Sequence, residues 1–141
     1  MKNADVSYLL ARLPIGMSFF GHGLARLPKL NAFSHWMTES FSASILPASL
    51  VRPFSYLLPI LELLIGILLL LGLYSRHAII LGALLILVLI FGSSLLEQWS
   101  NVFLQMIYGA YFSLLYKYVY YNRLSFDYLI FKQTRPLEFI P

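Results

Sequence analysis

The sequence has no cysteine and few charged residues. The first absence excludes disulfides, iron–sulfur ligation, cysteine–zinc sites and any thiol relay carried by this chain. The second excludes an ordinary water-soluble surface. Charged residues fill 11% of the 141 positions and hydrophobic residues 60%, where soluble domains carry about 25% charge. In water such a chain could not cover its apolar surface, whereas in a bilayer the lipid solvates it. Nor is there a polar surface on which basic residues alternate with aromatics, so the net charge of +4 does not point to nucleic acid. The amino-terminal stretch lacks the pattern of a cleavable signal. Lys2 is countered by Asp5, Arg12 interrupts the apolar run and no small-residue cleavage site follows, so the first apolar segment is expected to stay as a membrane helix.

What the sequence does have is four runs near the length of about 20 apolar residues that a spanning helix needs. They lie at about 6–27, 53–74, 78–96 and 102–121, the second opening on Pro53. The last two connections are short, around Tyr74–His77 and Glu97–Asn101, which makes their flanking helices antiparallel neighbours. The first connection is longer. Phe33, Trp36, Met37 and Phe41 recur there at helical spacing, predicting a short amphipathic helix at about 32–43, capped by Asn31 and lying in the membrane interface. The expected fold is therefore all-α: an integral membrane four-helix bundle, one domain over 1–141, with an interfacial helix between its first two spans.

The basic residues set the expected orientation. Lys2, Arg76, Lys117, Arg123, Lys132 and Arg135 fall on one side and Arg26, Lys29 and Arg52 on the other. The positive-inside rule then puts both termini on the cytoplasmic face of the cell (inner) membrane.

Charged or titratable groups deep in hydrocarbon are expensive unless paired or wet, so each one needs a reason. Arg12, His22 and Glu62 qualify. Helical rise puts Glu62 roughly 15 Å and His22 roughly 8 Å below the outer surface, with Arg12 deeper. An Arg12–Glu62 pair is expected to pin two helices, with His22 near enough to share a pocket. Glu62, His22 and Arg12 are thus the candidate catalytic groups, two to move protons and Arg12 to hold the carboxylate.

Other polar residues share that depth. Ser93 and Ser94 close the third run, and Asn101, Gln105 and Tyr108 share one face of the fourth. If these faces turn inward they converge on His22 and Glu62, and a few hydrogen-bonding groups in an apolar wall suit a quinone headgroup. Gln105, Tyr108, Ser94 and Gly66 are the candidate cofactor-binding residues. Gly66, one turn from Glu62, would let a partner helix approach that carboxylate. Simple hydrogen bonding between helices is the competing role for the serines. Haem needs two histidines at matching depth, and only His22 lies within a span, so neither haem nor a metal is expected.

Several short motifs carry a further resemblance. Arg12-Leu13-Pro14-Ile15-Gly16 resembles Arg-Leu-x-x-Gly, and His22-Gly23-Leu24-Ala25-Arg26-Leu27 resembles His-Gly-x-x-Lys-Leu with Arg26 in the lysine place. Glu62 to Gly66 resembles Glu-x-x-x-Gly, and Leu71-Gly72-Leu73-Tyr74-Ser75-Arg76 resembles Leu-Gly-x-x-Thr-Arg with Ser75 for threonine. Leu124-Ser125-Phe126-Asp127 resembles a closing Ser-Leu-Asp without the glycines that often precede it. In this order the motifs resemble the DoxX family of small four-helix membrane proteins, which includes a subunit linked to thiosulfate:quinone oxidoreductase. The resemblance implies a quinone- or quinol-interacting subunit of a membrane redox system, its electrons supplied by a partner protein. Two alternatives stay open. One is a non-catalytic scaffold or assembly factor whose polar residues only hold helices together, with a partner protein or a second copy as its associate. The other is a small transporter, for which no inverted repeat is apparent.

Overall fold

A computed structural model describes residues 3–131. Lys2, Lys132, Arg135 and the chain beyond them, part of the orientation argument, lie outside the described residues. The elements are α1 (Asn3–Arg26), a 3-10 turn at Leu27–Lys29, α2 (Leu30–Ser40), α3 (Ala48–Leu71), α4 (Ser75–Leu95), α5 (Trp99–Lys117), a second 3-10 turn at Val119–Tyr121 and α6 (Phe126–Phe131). Every regular element among the described residues is helical.

Local chemistry explains where the helices stop. Gly72 ends α3 in the left-handed region, φ 66°, which costs glycine nothing. The Leu73 N–H then reaches back to the Leu68 carbonyl, the wrap that satisfies the last carbonyls of a helix. The same closure ends α4, where Gln98 N–H bonds Ser93 O and Glu97 takes the left-handed position, φ 55°.

Each long helix starts three to five residues before its apolar run, at Asn3, Ala48, Ser75 and Trp99. Helix α3 begins at Ala48 after an extended Pro47, not at Pro53, which sits within the helix. Helix α5 begins at Trp99 and ends at Lys117, about three residues earlier than its apolar run suggested. The interfacial helix is present as α2, but Asn31 does not cap it. Its Oδ1 accepts a hydrogen bond from the Tyr56 hydroxyl instead, tying α2 to α3. Ser34 and Ser55 add a buried hydroxyl pair at 2.7 Å to the same seam.

Helix α1 packs along α3, α4 along α5, and α3 meets α4 across the Gly72 turn. The α1–α3 seam is tight because it is built on glycine. A Cβ on Gly66 would strike the backbone of Phe20, and one on Gly23 the backbone of Leu63. Gly66→Ala is therefore expected to cost about 1–3 kcal/mol through forced separation of the two backbones, seen as a lower melting temperature in detergent, with Gly21→Ala, which meets open space, as the silent control.

The α1–α5 seam works differently. Few residues pack there, and tyrosine hydroxyls do the tying. Tyr8 donates to Leu115 O at 3.1 Å, Tyr111 to Ala11 O at 2.7 Å, and Tyr108 shares a 2.9 Å hydrogen bond with Ser18. Phe19 and Phe112 meet edge-on between them.

Among the described residues, α3 and α4 are long and apolar enough to cross a membrane. Their outward faces carry exposed Leu57, Ile60, Leu64, Leu84, Leu87 and Phe91, a surface that suits lipid. Helices α1 and α5 are of similar length, but polar residues dilute them, Arg12, His22 and Arg26 in the first and Asn101, Gln105 and the tyrosines in the second.

Candidate functional site

The expected Arg12–Glu62 pair does not form. Glu62, 5% exposed, accepts from Nη1 of Arg26 with both carboxylate oxygens, at 2.7 and 2.5 Å. The reason lies in the antiparallel register of α1 and α3. Gly16 faces Leu69 and Leu70, Gly66 faces Phe20, and Gly23 faces Leu63. That register places the last turn of α1 opposite Glu62 and the Arg12 turn opposite Gly72. Arg12 lies 26 − 12 = 14 residues from Arg26, roughly 21 Å along the helix. Because α3 starts five residues earlier than its proline suggested, it overshoots the end of α1, and α2 folds back against the overshoot. Equal depth cannot be assumed for the two helix ends.

Arg26 is held from two sides. Its guanidinium carbon stands 4.8 Å from the centre of the Phe33 ring of α2, a cation–π contact that covers the charge where hydrogen bonds are lacking. Nη2 and Nε make no hydrogen bond among the described residues. One turn back on the same face of α1, His22 Nδ1 lies 2.7 Å from the Ser18 carbonyl. A carbonyl only accepts, so Nδ1 carries a proton, and in the neutral ring Nε2 is then the acceptor.

Both residues line a cavity of about 540 Å³ beneath α2. Its wall is mostly apolar, with Phe19, Trp36, Met37, Phe54 and Leu89 among the contributors. Its polar lining includes Ser18, His22, Arg26, Glu62, Ser93, Gln105 and Tyr108, with Ser40, Gln98 and Asn101 also on the wall. Gln105 donates to Ser93 Oγ at 2.9 Å, while its Oε1 is buried with no partner among the described residues. His22, Glu62, Gln105 and Tyr108 are thus brought together as the sequence suggested. Ser94 is not, since it donates to Ile90 O of its own helix, and Gly66 serves the α1–α3 crossing. The neighbouring Ser93 takes the place expected of Ser94.

Arg12 organises the opposite end. It is 1% exposed, and its Nη1 donates to Asn122 Oδ1 at 2.6 Å while Nη2 donates to Leu124 O at 3.1 Å. Asn122 in turn donates to Ser75 Oγ at 2.8 Å. Asp127 closes the cluster: its two carboxylate oxygens accept from the N–H groups of Tyr74 and Ser75 at 2.6 and 2.8 Å. A carboxylate there satisfies free donors at the start of α4 and meets the positive end of the helix dipole. The Asp127 N–H donates to Gly72 O at 2.9 Å. The closing Ser125-Phe126-Asp127 motif therefore clasps the α3–α4 turn. Asp127→Ala is expected to cost about 1–2 kcal/mol, the price of a lost helix cap, measured as a lower unfolding midpoint. Asp127→Asn should keep part of the loss at bay.

Residues 7–94 match the DoxX family model. The chain belongs to the DoxX family. No curated protein and no solved structure matches it. The DoxX stretch covers α1 through α4 as far as Ser94, and so includes Arg12, His22, Arg26 and Glu62. Gln105, Tyr108 and the clasp residues Asn122 and Asp127 lie beyond it. Residues of the DoxX-like motifs divide between two clusters. Arg12, Gly72 and Ser75 build the clasp; His22, Arg26 and Glu62 build the cavity.

Arg26 is the site residue that sequence reasoning missed, counting it only as an outer-side topology charge near the end of the first span. The signal was there, since His22 and Arg26 stand at i and i+4 and must share a face. Asn122 carried no signal, because its role depends on the chain turning back at Val119–Tyr121.

Proposed function

We propose that this DoxX protein is a quinone- or quinol-interacting subunit of a membrane redox system. In this reading α1, α3, α4 and α5 cross the inner membrane and both termini face the cytoplasm, as the basic residues suggest. The observation that carries it is the cavity. It joins an apolar wall, suited to an isoprenoid tail, to a cluster of hydrogen-bonding groups, suited to a ring with oxygens at both ends. Of about 540 Å³, it falls within the roughly 300–1,000 Å³ usual for small-molecule sites.

The residues divide the work. Arg26 fixes the Glu62 carboxylate and keeps spare N–H donors at the cavity. His22, its Nδ1–H pinned to Ser18 O, presents Nε2 as a proton acceptor. Tyr108 and Ser18 offer a hydroxyl pair, and α2 lays Phe33 and Trp36 along the cavity wall. A bound quinone would supply the two-electron chemistry, and a partner protein would supply or remove the electrons.

The test is purification in mild detergent followed by mass spectrometry of retained small molecules. A retained isoprenoid quinone in the wild type, depleted several-fold in Glu62→Gln and His22→Phe at equal yield of folded protein, is the expected result. Equal retention in all three, or none in the wild type after reconstitution with excess quinone, contradicts the proposal.

A further inference from the structure

The cavity offers unused acceptors as well as the spare N–H donors of Arg26. Gln105 Oε1 is buried and lacks a donor, while the Nε2 of the same amide is committed to Ser93 Oγ at 2.9 Å. In the neutral imidazole His22 Nε2 is likewise an acceptor, because the Nδ1–H is committed to the Ser18 carbonyl at 2.7 Å. Both come from different helices, α5 and α1, and both line the same cavity. Gln105 Oε1 is buried, and a buried acceptor left unmatched costs the desolvation of that group, while His22, which is exposed, offers a second acceptor at the cavity, so a ligand with two donors is the better match.

Resting on the quinone-site reading above, we infer that the cavity selects the dihydroxy (quinol) form of its lipid headgroup over the dicarbonyl (quinone) form. Carbonyl oxygens only accept. They satisfy the spare N–H groups of Arg26 and leave Gln105 Oε1 and His22 Nε2 unmet. A phenolic hydroxyl accepts from Arg26 and still donates to His22, and the second hydroxyl of the ring donates to Gln105. The selectivity is thus a property of this chain's resting hydrogen bonds, independent of any electron-transfer partner.

The purified protein carrying Trp99→Phe leaves Trp36, in the cavity wall, as the reporter. Equilibrium titration uses a short-chain benzoquinone and, under anaerobic reducing conditions, its hydroquinone. The hydroquinone is expected to bind at least tenfold more tightly. Gln105→Leu and His22→Phe should each weaken hydroquinone binding more than quinone binding and shrink that ratio to about threefold or less. Equal affinities, tighter quinone binding, or variants that weaken both forms equally would overturn the inference while leaving a quinone site intact. Binding of neither form would remove the quinone-site reading itself. Circular dichroism and melting temperature establish that each variant is folded before it is titrated.

Discussion

Arg26→Leu is expected to destabilise the protein by about 3–5 kcal/mol, because it strands a buried carboxylate in an apolar wall. Glu62 is 5% exposed while the Arg26 side chain is 27% exposed, so the two removals are not equivalent. Loss of the arginine leaves a charge that must either stay unpaired or take up a proton. Loss of the carboxylate in Glu62→Leu leaves a cation that can turn toward solvent over Phe33, and should cost less. The double variant Arg26→Leu/Glu62→Leu should recover most of the loss, since an apolar replacement of both partners removes the desolvation penalty along with the attraction. Thermal unfolding of the four proteins forms a double-mutant cycle. A coupling of about 2 kcal/mol or more is predicted for Arg26 with Glu62, and none for Arg12 with Glu62, which are too far apart to share partners.

Arg12→Leu should be the other large loss, about 3 kcal/mol or more, by a different route. No carboxylate lies within ion-pair distance of Arg12 among the described residues, so the cost comes from acceptors and space. Asn122 Oδ1 and Leu124 O lose their donors, each worth about 1–3 kcal/mol when buried. The guanidinium also fills the volume beside Gly72, where even a Cβ would collide with it. Arg12→Lys should rescue little, because a single ammonium does not span two acceptors that Nη1 and Nη2 reach separately. The readout that separates this from a global effect is local. Proteolysis or hydrogen exchange should rise first over residues 118–131, and ligand binding in the still-folded fraction should be unchanged. A variant that loses the cavity and keeps the clasp ordered would contradict the division of the bundle into two working ends.

Much of this architecture was legible in the sequence. The apolar runs located four of the helices, and the spacing of Phe33, Trp36 and Met37 located α2. His22, Glu62, Gln105 and Tyr108 were gathered correctly because polar residues in apolar helices have to find each other. The pairing was illegible for a definable reason. Depth was counted from Pro53, the first strong helix signal in α3, yet the helix runs back to Ala48, where Ser49 and Arg52 mask it as a loop. The true register is written in Gly16, Gly23 and Gly66, but only once it is known that they face one another. The clasp was hidden for a similar reason. Asn122 carried no signal and Asp127 stood only in a short closing motif, until the 3-10 turn at Val119–Tyr121 brings them beside Gly72 and Ser75.

The central claim is that a lipid with a polar ring seats beneath α2 against Arg26, Glu62 and His22. A photoreactive isoprenoid quinone tests it most directly, with labelled positions mapped by mass spectrometry of peptides. Labelling within 33–46 and 101–108, competed by unlabelled quinone and lost in Glu62→Gln, is the predicted result. Labelling confined to the second apolar groove, between Tyr8 and Ala11 of α1, Tyr111 of α5 and Tyr118 just beyond it, or labelling indifferent to Glu62, would contradict it.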